Sequence, residues 1–193
     1  MIEKEEQRKG RNKATQINKS YIESGEYRRK FDLISDNVEL ARILFALAKE
    51  MLFHRAGTNF EDMYWIDLDS YEVFAKETEC CEEKKIAYSE STQKALRKRR
   101  NVLAIHSHPD GFPPSIFDIN SCILNDYTVG IVVGHNGTVF MYSTEGLSEP
   151  FNVDYYQMVV AGYIKQGYNE DEAQRAALQE LCEKHGIKVK EVL

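Results

Sequence analysis

Residues 106–118 read His-Ser-His-Pro-Asp-Gly-Phe-Pro-Pro-Ser-Ile-Phe-Asp, three metal-ligating side chains and a hydroxyl within thirteen positions. His106 and His108 stand at i and i+2, which project to the same side of extended backbone, so both imidazoles can converge on one ion at about 2.0–2.1 Å. Asp118 can supply a third ligand. Two histidines and one carboxylate leave a fourth position for water, the pattern of a hydrolytic zinc centre and not of a closed structural one. The cysteines offer no competing site. Cys80 and Cys81 are adjacent, a poor chelate spacing, while Cys122 and Cys182 fall in helical patterns where a buried thiol is the default. The His-x-Glu and Pro-Cys-x-x-Cys pair of a zinc nucleobase deaminase is absent.

The flanking residues must place these ligands. Asn101 to Ile105 is apolar and rich in branched side chains, which predicts a buried strand delivering His106 and His108 at its carboxyl end, where sites in α/β sheets tend to lie. Pro109, Gly111, Pro113 and Pro114 forbid helix in the next segment, and Ser115 is a good N-cap with Asp118 at N3. A helix N-terminus there favours the Asp118 carboxylate and any developing anion nearby.

His106-Ser107-His108-Pro109 followed by Ser115-x-x-Asp118 resembles the signature of the JAMM (MPN-plus) metalloproteases. That family also uses a glutamate several tens of residues upstream, at the start of a strand. Glu61 is the matching residue here, 45 positions before His106 (106 − 61) and directly ahead of the apolar run from Met63 to Leu68. Asp62 is the runner-up, but adjacent residues on a strand face opposite ways. Six residues separate His108 from Ser115, one fewer than in most of the family, which resembles the form found in bacteria and mobile elements. The resemblance spans roughly residues 40–145.

The resemblance implies one Zn²⁺ per chain held by His106, His108 and Asp118, with catalytic roles for Glu61 and Ser115. Glu61 would take the proton of a metal-activated water and return it to the leaving amine. Ser115 would donate to the oxyanion, a contribution worth about 3 kcal/mol in other enzymes. The implied activity is hydrolysis of an amide bond in a protein or peptide substrate, as a peptidase or isopeptidase acting near the C-terminus of a ubiquitin-like modifier. Two other classes share the motif or its fold: RadC-like nucleic-acid-associated proteins, and family members that act only as interaction modules.

At 193 residues, 42% hydrophobic and 29% charged, the chain can bury one substantial core. The expected organisation is a flexible leader over 1–20, a JAMM-like catalytic domain with N-terminal helices over 21–150, and a helical extension over 151–193 packed on the same domain. The expected fold class is α/β, a mixed sheet flanked by helices, similar to the JAMM and cytidine deaminase architecture. Helices are predicted over Glu26–Leu33, from Ser35 or Asp36 to Phe53, over Ser91–Arg99, Tyr155–Lys165 and Asn169–His185, the last with Asn169 as N-cap and Gly186 as stop. Strands are predicted over Met63–Leu68, Tyr71–Ala75, Ile86–Tyr88, Val129–Gly134 and Val139–Tyr142, with His135 as a turn residue and Lys188–Leu193 as an edge strand or loose end.

A net charge of −6 and the lack of any recognisable DNA-binding module weigh against nucleic acid, although Lys94, Arg97, Lys98, Arg99 and Arg100 form a basic cluster. That cluster reads first as a solvated helix end. No membrane span or signal peptide is visible and the cysteines form no disulfide framework, so a cytoplasmic protein with reduced thiols is expected.

Overall fold

The structure, a computed structural model, describes residues 13–193. Its strands are β1 (Met63–Asp67), β2 (Val73–Glu77), β3 (Val102–His108), β4 (Tyr127–Gly134), β5 (Val139–Ser143) and β6 (Lys188–Glu191). Its helices are α1 (Lys19–Ile22), α2 (Gly25–Asp32), α3 (Val38–Arg55), α4 (Glu90–Leu96), α5 (Ile116–Leu124), α6 (Val153–Lys165) and α7 (Glu170–His185). The strands form one six-stranded sheet in the order β2-β1-β3-β4-β5-β6. Among the described residues only β3 and β4 pair in parallel, through the α5 crossover; the other neighbours are antiparallel. The result is a mixed α/β sheet flanked by helices.

Both faces of the sheet are covered, which is why β3 reads as a continuous apolar run and is buried at every position. The period of two sorts its side chains. Val102 and Ala104 join Met63, Trp65 and Val132 on one face, packed against Ile116, Ile119 and Cys122 of α5 and Tyr156, Val160, Ala177 and Leu181 of α6 and α7. Leu103 and Ile105 join Tyr64, Ile66, Ile131 and Val133 on the other, against Leu44, Leu47 and Met51 of α3 and Tyr27 and Phe31 of α2. The C-terminal helices therefore share a core with α5, and β6 extends the sheet beyond β5. Among the described residues, no helix is long and apolar enough to cross a membrane.

Several local expectations are corrected. Helix α3 is capped by Asn37, whose Oδ1 accepts from the Glu39 and Leu40 amides at 2.9 and 3.0 Å, and not by Ser35 or Asp36. Ile86–Tyr88 is not a strand. Its side chains are held by the core: the Tyr88 ring meets Trp65 edge-on at 5.0 Å and its hydroxyl lies 3.2 Å from that of Tyr127. His135 follows β4 as expected but is buried, with Nδ1 2.7 Å from the Thr15 carbonyl. Of the expected leader, residues 1–12 lie outside the described residues. Lys13–Thr15 forms a 3₁₀ turn, and Lys19 opens α1. The Thr15 carbonyl also accepts from the Gly57 amide at 3.0 Å, so this part of the chain is docked through backbone groups that composition does not reveal.

Candidate metal centre and its cleft

Strand β3 carries His106 and His108 on the face covered by α5, and α5 starts where the proline-rich loop ends. Ser115 caps it in a reciprocal box with Asp118: the Ser115 Oγ accepts from the Asp118 amide at 3.3 Å, and Asp118 Oδ2 accepts from the Ser115 amide at 2.6 Å. The Ser115 hydroxyl also donates to Oδ2 at 2.7 Å. The box spends the first-turn donors on Asp118 and orients its carboxylate.

That carboxylate reaches both histidines. Nε2 of His106 lies 3.1 Å from Nε2 of His108 and 3.2 Å from Asp118 Oδ1, and His108 Nε2 lies 3.4 Å from Asp118 Oδ2. Donors placed about 2.0–2.1 Å from a tetrahedral ion lie about 3.3–3.4 Å from one another. The two imidazoles stand close to that spacing and each has a different Asp118 oxygen 3.2–3.4 Å away, so the group could hold a divalent metal. Among the described residues this is the group of three His, Cys or acidic side chains that could hold an ion. His108 Nδ1 lies 3.1 Å from the Phe112 carbonyl; donation there leaves the Nε2 lone pair for a ligand. His106 Nδ1 is buried without a hydrogen-bond partner.

Glu61 and Asp62 are separated as strand geometry requires. Met63 pairs with His106 in the β1–β3 register. One step outward, the Asp62 amide donates to the Ser107 Oγ and the Ser107 amide to the Asp62 carbonyl, both at 3.0 Å. Glu61 then falls opposite His108, on the metal face, and is 7% exposed. Asp62 faces the other way, where Arg55 Nε and His54 Nδ1 meet its carboxylate at 2.5 and 2.7 Å.

The electrostatics follow from crowding. Burial pushes the Glu61 carboxyl up to about 7; Asp118 and Asp110 push the same way and His108 opposes them. Burial works against a charged His108 ring, but its bond to Asp118 prevails and raises it to about 9. Burial likewise opposes an ionised Asp118, yet the two histidines hold it well below the usual carboxylate range.

The chain matches no family model, curated protein or solved structure. Its chemistry must therefore be read from the site itself.

The centre opens into a cleft of about 680 Å³, lined by Glu61, His108, Ser115 and Asp118 on one side. Lys84 and Tyr88 from the loop before α4, and Tyr156, Arg175 and Leu178 from α6 and α7, line the rest. Arg175 lies over the Phe112 ring at 4.2 Å, and Lys84 pairs with Asp110 at 2.9 Å, so both walls touch the metal loop. All five residues singled out in the sequence thus meet at one place. The cleft walls carry no such signal, because residues 84–88 and α7 lie far in sequence from the motif and only tertiary packing joins them. The basic cluster is partly neutralised: Arg99 bonds Asp67 and Glu72, each at 3.1 Å, and Lys94 pairs with Glu90 at 2.6 Å.

Proposed function

We propose that the protein is a metal-dependent amide hydrolase of the JAMM type, acting as a peptidase or isopeptidase on a protein substrate. The observation that carries this is the convergence of His106, His108 and Asp118, with nitrogen and oxygen atoms 3.1–3.4 Å apart, and the buried Glu61 beside them. The parallel β3–β4 pair joined through α5 supports a JAMM-like architecture. The paired state of Arg99 and Lys94 gives no support to a nucleic-acid role.

His106, His108 and Asp118 would hold the ion, with zinc the best match to two imidazoles and a carboxylate. When bound, it supplies a Lewis acid that polarises a carbonyl and brings the pKa of a water towards about 7. Glu61 takes a proton on its carboxylate and passes it to the leaving amine, a role its low solvation suits. Ser115 turns its hydroxyl from Asp118 to the substrate carbonyl oxygen as negative charge develops there. The cleft orients an extended segment and keeps bulk water from it.

The test is hydrolysis of ubiquitin-like proteins extended by peptide or isopeptide linkage at their C-termini, by zinc-loaded wild type and Glu61→Gln. Turnover should fall by about 10²-fold or more in the variant, with metal content unchanged. Equal cleavage by both proteins, or no cleavage of any linkage by the wild type, would contradict the proposal.

A further inference from the structure

The face of the sheet opposite the metal carries a buried polar cluster that the chemistry above does not use. Arg55 at the end of α3 is fully buried, as is Asp62, in a layer otherwise made of Leu52, Tyr64 and Ile105. Burying both charges is expensive unless each is paired and hydrogen-bonded. Both are paired: Arg55 Nε meets Asp62 Oδ1 at 2.5 Å, His54 Nδ1 meets Oδ2 at 2.7 Å, and Arg55 Nη2 donates to the Thr78 carbonyl, while Arg55 Nη1 is buried without a hydrogen-bond partner. Arg55 also lies 5.8 Å from the Phe60 ring centroid. The residues on either side of Glu61, Phe60 and Asp62, are therefore held by one guanidinium.

The Asp62 backbone is locked as firmly. Its amide and carbonyl are both bonded to Ser107, the residue between the two histidines, at 3.0 Å each, just past the Met63–His106 pair. A strand end normally frays, and its first residues are the least constrained. This one is closed by a hydroxyl acceptor in addition to the backbone ladder, while the Arg55 pair fixes which way Asp62, and so its neighbour Glu61, must face.

We infer that Asp62 and Ser107 are positioning residues that hold Glu61 against the metal centre from the opposite face of the sheet, with Arg55 as the anchor. The inference rests on Glu61 being the base of a metal site. It also gives a role to the serine between the histidines, since the side chain that would point away from the ion is the one that clips the base into register.

The test uses Co²⁺ as the probe on the full chain, because the visible spectrum of a bound cobalt ion reports its ligands and their hydrogen-bonded neighbours. Spectra and cobalt affinities are compared at one pH for wild type, Ser107→Ala, Glu61→Gln and the double variant, with Asp62→Asn as a second route to the same effect. Ser107→Ala should alter the spectrum and weaken cobalt binding several-fold in the wild-type background, and do neither in the Glu61→Gln background, since a residue acting through Glu61 has nothing left to position. A general structural role would give the same change in both backgrounds, and that result overturns the inference. So does a Ser107→Ala protein identical to wild type. Cobalt that fails to bind, or binds equally to His106→Ala, overturns the metal reading itself, a different and recognisable failure. Ser107→Ala deletes one hydroxyl and carries the test if Asp62→Asn does not fold.

Discussion

A methyl group on Gly134 would lie 2.5 Å from the Cα of Gly111, so the metal loop and the turn after β4 touch backbone to backbone. Gly111 adopts φ +69, and a side chain there would sit 2.3 Å from the Asn136 amide. Thr138 Oγ1 donates to the Gly111 carbonyl at 3.1 Å, completing the contact. This close seat fixes the path of the loop between His108 and Ser115. Gly111→Ala should therefore weaken zinc binding by tenfold or more and lower the melting temperature. Gly146→Ala, also at positive φ but with open space around it, should cost only the backbone strain of about 1–2 kcal/mol. Equal effects of the two substitutions would show that the seat is unimportant.

Glu61 should make the metal-free protein less stable at alkaline pH. Its carboxyl is pushed from an ordinary 4.5 up to about 7 by burial, so between those values the folded chain binds more protons than the unfolded one and stability falls as pH rises. Glu61→Gln removes that cost. It should stabilise the metal-free protein by about 2–3 kcal/mol at pH 8 and by nothing below about pH 4.5. Denaturant unfolding at the two pH values checks this, and a gain independent of pH would contradict the assignment. A bound cation should lower the Glu61 carboxyl and shrink the gain.

Metal binding should release a proton. His108 is held protonated up to about pH 9 by Asp118, and an imidazole must be neutral to ligate. Zinc affinity is therefore expected to rise about tenfold per pH unit from 7 towards 9. Calorimetry in buffers of different ionisation enthalpy should count the proton released; a pH-independent affinity would place the ion elsewhere.

The C-terminal helices should unfold with the sheet and not before it. Leu181 is fully buried against the α5 side of the core, whereas Met158 on α6 is 72% exposed. Leu181→Ala should cost about 2–5 kcal/mol and keep a single unfolding transition, while Met158→Ala should stay within about 0.5 kcal/mol. An early, separate transition in Leu181→Ala would mean that α6 and α7 form an independent unit.

Much of the site is legible in the sequence because its signals are local. The i, i+2 histidines need only an extended strand, the Ser115–Asp118 box needs only a helix start, and the apolar run before His106 supplies the strand that both depend on. Asn169 and Gly186 mark α7 for the same reason, and the structure has Asn169 as the cap, in a reciprocal box with Glu172, and a left-handed Gly186 at φ 73. Signals that depend on tertiary partners are not legible. Ile86 and Tyr88 read as a strand because apolar residues two apart suit either a sheet or an extended loop pressed on a core. His135 reads as a turn residue because its partner, the Thr15 carbonyl, lies 120 positions away. The Arg55–Asp62 pair joins a helix end to a strand start, and neither residue carries a mark of it in composition.

The most direct test is the zinc content of the purified protein, by elemental analysis of wild type, His106→Ala and Asp118→Ala prepared without added metal. The three-donor arrangement predicts close to one zinc per wild-type chain and loss of most of it in both variants, with folding retained by circular dichroism. A folded wild type that remains empty even after zinc is supplied, or variants that hold as much metal as the wild type, would contradict the account at its centre.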